Sequence, residues 1–130
     1  MTYAITARVA GSFGETVERV RAALQEQGFG VLTEIDVRAT LHDKLGEQME
    51  DYLILGACNP ALAHRALGID REIGLLLPCN VVVRGEGPGA VLVQAVDPQT
   101  MVQLSGRPAL KEVADDATAR LRAALATLGG

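Results

Sequence analysis

The feature that most constrains this chain is the stretch from Asp51 to Arg84, which holds both cysteines and the longest apolar runs. Residues 51–57 (DYLILGA) are apolar on both faces and read as a central strand, and residues 79–86 are a β-branched run that reads as another strand. Between them the punctuation is helical. Asn59 precedes Pro60, in the order of an N-cap and a first helical residue. Ala63, Ala66 and Leu67 point inward, and Gly68 stops the helix. Asp70 caps a further short turn through Leu77. Pro78 ends that turn, because proline disfavours helix at the preceding residue. The chain thus leaves a sheet at Cys58, makes a helical excursion and re-enters at Cys79.

The flanking sequence supplies the other layers. Residues 2–9 (TYAITARV) form a strand with Tyr3, Ile5, Ala7 and Val9 on one face. Ser12 and Glu15 stand at capping-box spacing, and a helix follows to about Gln27, with Phe13, Val17, Val20 and Leu24 as its apolar stripe. Gly28 is a left-handed stop. Residues 30–37 alternate, with Val31, Thr33, Ile35 and Val37 facing one way and Leu32, Glu34 and Asp36 the other. Leu41 and Leu45 mark a short helix within residues 40–46. The glycine-rich loop 85–89 (GEGPG) joins the 79–86 strand to another over residues 90–96. That loop lacks the lysine and following helix of a phosphate-binding loop, so it reads as a turn. Asp97 and Pro98 begin a short turn to about Leu104. Pro108 opens the last helix, whose stripe is Leu110, Val113, Ala117, Leu121, Ala124 and Leu128, and Gly129 and Gly130 close it.

No linker or repeat divides residues 1–130, so the reading is one α+β domain. Two long helices, each with a single apolar stripe, are buried most simply on one face of a mainly antiparallel five-stranded sheet. The other face then carries Leu32, Glu34, Asp36, Asn80, Val82, Arg84, Leu92 and Gln94. It is too apolar to stay wet and should be covered by a partner subunit or by the central insert; the expectation is a homodimer burying about 1,200 Å² or more.

Composition narrows the function. Aromatics are 3% of the chain, too few for a platform that stacks single-stranded bases. The net charge of -4, with no basic run, argues against a phosphate-backbone binder. No apolar run approaches the roughly 18 residues of a membrane span, and no basic-then-apolar leader opens the sequence. The two cysteines are too few for a disulfide scaffold, so the expected setting is a reducing cytoplasm with free thiols.

Those cysteines mark the candidate site. If the strands ending at Cys58 and starting at Cys79 are antiparallel neighbours, the two thiols meet at one end of the sheet. Cys58 also stands just before a helix N-terminus, where thiol pKa values fall. Asn59 and Asn80 would cap the exit and re-entry. His64, on the helix that starts at Pro60, could complete a Cys58, Cys79 and His64 ligand set for zinc or another transition metal, although no zinc-finger spacing is present. The plainer reading is that both cysteines are small buried hydrophobes and that His64 is a surface residue. Glu34 and Asp36 share a strand face and could serve acid/base work or a hard cation. The plainer reading is an ion-paired face with Arg84 as the partner. His42 is expected to be exposed.

The central block also resembles a known family. Gly56-Ala57-Cys58-Asn59-Pro60, Ala63-His64-Arg65-Ala66-Leu67 and Gly74-Leu75-Leu76-Leu77-Pro78-Cys79-Asn80-Val81-Val82-Val83, with Thr33-Glu34-Ile35-Asp36-Val37 and Asp97-Pro98, are similar to the family called domain of unknown function 302. The resemblance implies a TATA-binding-protein-like fold, β-α-β(4)-α, often homodimeric. It implies no activity, and DNA binding does not follow from a fold name.

Three functions compete. The first is a domain that binds a small molecule or metal, with possible thiol redox chemistry, at a pocket of Cys58, Asn59, His64, Cys79 and Asn80, with Glu34 as a further ligand-binding candidate. The second is a non-catalytic homodimeric interaction module. The third, a hydrolase or isomerase using Glu34 with His64, lacks any recognisable triad motif.

Overall fold

The computed structural model describes residues 3–129; the expected first strand residue Thr2 and the final Gly130 lie outside them. Five antiparallel strands form one sheet: β1 (Ala4–Ala10), β2 (Gly30–Asp36), β3 (Tyr52–Cys58), β4 (Cys79–Gly87) and β5 (Ala90–Val96). Their order across the sheet is β1-β5-β4-β3-β2. β3, the expected central strand, occupies an interior position beside β4.

Helices α1 (Phe13–Glu26) and α5 (Lys111–Ala126) pack on one face of this sheet. Val17, Val20 and Leu24 of α1 and Leu121, Ala124 and Leu125 of α5 share a core with Ile5, Leu55, Ala57, Val81, Val83 and Val93. Local chemistry sets the ends of α1. The Ser12 hydroxyl accepts a hydrogen bond from the Glu15 amide, and Gly28 adopts φ +84°, which a residue with a Cβ rarely does.

A second, smaller core lies at one end. It joins α3 (Pro60–Ile69), the 3-10 turn Arg71–Leu76 and α4 (Gln99–Ser105) to the N-terminal half of α5, through Leu62, Ala66, Ile73, Met101, Val113 and Ala117. The excursion between β3 and β4 is therefore a packed layer rather than a loop. Another helix, α2 (Val37–Leu45), begins earlier than the spacing of Leu41 and Leu45 suggests, because the Asp36 carboxylate caps it at the Ala39 amide.

The sheet corrects one expectation. A bulge interrupts the β2–β3 register between Val31 and Thr33. A bulge adds one residue and so inverts the facing of everything after it. Glu34 and Asp36 pair with Leu55 and Leu53, which belong to the helix-covered face. Thr33 and Ile35 pair with Gly56 and Ile54 on the open face. Glu34 and Asp36 therefore leave the open-face set predicted from strict alternation, whereas Leu32, the unpaired residue of the bulge, is exposed. Arg84 is not their partner either: Glu34 pairs with Arg21 of α1.

Candidate functional site

The site lies at the seam between the two cores. A cavity of about 30 Å³ is bordered by Ala57, Cys58, Asn59, Leu62, Cys79 and Met101, with further apolar side chains from α3 and α5. That volume takes one water-sized group. Among the described residues no lysine, arginine, histidine or carboxylate borders it, so any group that enters must be apolar or softly polar.

Asn59 holds the mouth in shape. Its Oδ1 accepts a hydrogen bond from the Leu62 amide, at 3.3 Å, the N-cap interaction expected from its place before Pro60. Its Nδ2 donates to the Gln27 carbonyl, at 3.4 Å. One side chain thus ties the start of α3 to the end of α1. The contact needs a glycine at 28, since a Cβ there would sit 2.9 Å from Asn59 Nδ2.

Both thiols are free and half-buried. They are close enough to interact: burial, and then the neighbouring Cys58, push the Cys79 thiol up from 9.0 to about 11. At neutral pH Cys79 is therefore a protonated wall residue, the opposite of an activated thiol. The register refines the expected pairing. Cys79 pairs with Ala57, so strand alternation places it on the helix-covered face and Cys58 on the other, with Cys58 bordering the cavity from the end of β3.

The remaining candidates lie elsewhere. His64 is exposed and does not border the cavity. The buried positions of α3 are Leu62 and Ala66; a residue two places from each lies on the far side of a 3.6-residue helix. The expected inward set of Ala63, Ala66 and Leu67 holds, with Ala63 bordering the cavity and Leu67 packed against the second core, and Leu62 joins it. The Cys58, Cys79 and His64 metal arrangement is not formed: among the described residues no three histidine, cysteine or acidic side chains gather as a metal site. Asn80 is exposed on β4 opposite Gly56 and has no capping role in the hydrogen-bond pattern.

Glu34 is exposed and engaged by Arg21, so it forms no dyad with His64. Asp36 caps α2, Asp51 pairs with Arg38 at 2.8 Å, and exposed His42 lies 3.6 Å from Asp43. Each of these carboxylates has a partner within the fold. Sequence reasoning missed the apolar walls Leu62, Met101, Val113 and Ala117 as site residues, because at helical spacing they are indistinguishable from core.

Comparison with known proteins gives a consistent picture. Residues 5–128 match the family described as domain of unknown function DUF302. The crystal structure of an uncharacterized conserved protein DUF302 from Bacillus stearothermophilus superposes with a TM-score of 0.91 at 34% sequence identity, covering 98% of this chain and 99% of that one. No curated protein matches the chain. Among the described residues no helix is long and apolar enough to cross a membrane.

Proposed function

The chain belongs to the DUF302 family, and on that premise we propose that it binds a small molecule at the seam between its two cores. The observation that carries this reading is the convergence of both cysteines and the capping Asn59 on one apolar cavity. A ligand inserts an apolar or sulfur-containing group of one or two heavy atoms into the cavity. The remainder of the ligand lies across the rim beside Cys58.

The thiol chemistry open to such a site is that of one reachable sulfur. Cys58 is at the strand end and half-exposed, whereas Cys79 is held protonated. Modification of Cys58 by a soft electrophile or a low-molecular-weight disulfide fits this arrangement better than a dithiol couple does. The strand and helix order also supports a place in the TATA-binding-protein-like class, without any inference to DNA.

The test is extraction of untagged protein purified from its expression host, with mass spectrometry of the released small molecules. A compound in molar proportion to wild type, and absent from an Ala63→Leu variant whose longer side chain fills the cavity, supports the reading. Equal extracts from both proteins oppose it.

A further inference from the structure

We propose that the groove between the 3-10 turn Arg71–Leu76 and α4 docks a short amphipathic segment of a partner protein, apolar on one face and carrying lysine or arginine beside it. The proposal does not rest on the seam cavity. It starts from exposed leucine. Seven large apolar side chains are exposed among the described residues, and three of them, Leu75, Leu76 and Leu104, border this one groove. Leu75 is 86% exposed and Leu104 73%. Single exposed leucines are ordinary, whereas a cluster rimmed by polar groups marks an interaction surface.

Local geometry holds these leucines out. Side chains at i and i+3 eclipse in a 3-10 turn. Leu76 therefore stands over Ile73, which is buried in the second core, and Leu75 stands over Glu72. On α4, Leu104 lies one turn beyond Met101, which is anchored in the same core. The end of α4 is fixed by Gly106, whose φ is +66° and whose amide donates to the Val102 carbonyl at 3.0 Å. Ile73 and Met101 thus anchor the two walls, while the three leucines belong to neither core.

Size and charge select the occupant. The groove measures about 240 Å³, below the roughly 300–1,000 Å³ of small-molecule pockets, so it suits an anchoring side chain rather than a whole ligand. Its ionisable lining is Asp70 and Glu72, both acidic. Asp70 Oδ1 accepts a hydrogen bond from the Glu72 amide at 3.0 Å. The Glu72 carboxylate is exposed and engages no ion pair among the described residues. Arg107 is committed to the Ile69 carbonyl at 2.7 Å, and neither it nor Arg71 borders the groove. A cation beside an apolar anchor complements this lining, and an anionic membrane surface is repelled by it. A second copy seated here about a two-fold axis would turn its own Asp70 and Glu72 toward the same two acids.

The experiment is fluorescence anisotropy of a labelled peptide of about four helical turns, with leucines along one face and lysines flanking them, titrated with the full chain. Expected is saturable micromolar binding that weakens as salt rises. Leu75→Ser and Leu104→Ser, at positions outside both cores, should each weaken it about tenfold or more with unchanged circular dichroism. Glu72→Lys should weaken binding of the lysine peptide and strengthen binding of its glutamate counterpart. No binding by wild type, binding that survives both leucine variants, or a charge preference unmoved by Glu72→Lys overturns the proposal. So does wild type that sediments with phosphatidylcholine vesicles, or self-associates, and loses that behaviour in Leu75→Ser, since the groove then serves a membrane or a second copy.

Discussion

Cys79 takes Ala57 as its cross-strand partner, not Cys58. This single offset separates the two thiols by strand parity although they border one cavity. A disulfide needs converging Cβ vectors, and strand residues of opposite parity point to opposite faces of the sheet. Treatment of the folded protein with glutathione disulfide should therefore give a mixed disulfide at Cys58 and a free thiol at Cys79. A peptide cross-linked between Cys58 and Cys79, in unreduced digests of native protein, would contradict the register argument.

The raised Cys79 pKa makes stability depend on alkaline pH. The folded state holds the Cys79 proton more tightly than the unfolded chain does, so this contribution is complete below pH 9.0 and is lost as pH rises towards about 11. The loss should reach up to about 3 kcal/mol. Denaturant unfolding on either side of that window should show the decline, and Cys79→Ala should flatten it. An unchanged slope in the variant would place the effect elsewhere.

Gly56 sits under the turn that returns the chain to the sheet. A Cβ there would stand 2.2 Å from Thr33 Oγ1 and 3.0 Å from Pro78 Cγ. Gly56→Ala should cost roughly 1–3 kcal/mol by overpacking, and adding Thr33→Ala should recover part of it. Chemical denaturation of the single and double variants measures the recovery. Additive losses would show that Thr33 is not the obstruction.

Asn59 serves two elements at once. Asn59→Ala should destabilise by about 1–2 kcal/mol through the lost cap. Asn59→Asp keeps the capping oxygen but loses the donor to Gln27. It should preserve α3 while loosening the end of α1, and amide exchange at Gly28 and Phe29 should rise in that variant. Protection equal to wild type would mean that the Gln27 bond is inconsequential.

Much of the fold was legible because its signals are local. The Ser12 and Asn59 caps, the left-handed Gly28 and the stripe from Leu110 to Leu128 each follow from a few adjacent residues. The cysteine pocket was legible in outline for the same reason, since an excursion that starts and ends on neighbouring strands must bring its ends together. Parity was not legible. The bulge at Leu32 has no glycine to announce it, yet it turns Glu34 and Asp36 to the other face. The return register at Cys79 depends on how the excursion packs against α5, a tertiary matter. The orientation of His64 was hidden similarly: α3 has several apolar positions, and only packing against Met101 and Val113 selects Leu62 and Ala66 as the buried pair.

The most direct test of the seam pocket is the ratio of labelling rates at Cys58 for an uncharged apolar reagent, N-ethylmaleimide, and an anionic thiosulfonate, each divided by its rate with free cysteine. A pocket with apolar walls should favour the apolar reagent about tenfold or more, consistent with burying one or two methylene groups, and Ala63→Leu should abolish the preference. Equal normalised rates in wild type, or a preference that survives Ala63→Leu, would contradict the account and leave Cys58 and Cys79 as packing residues.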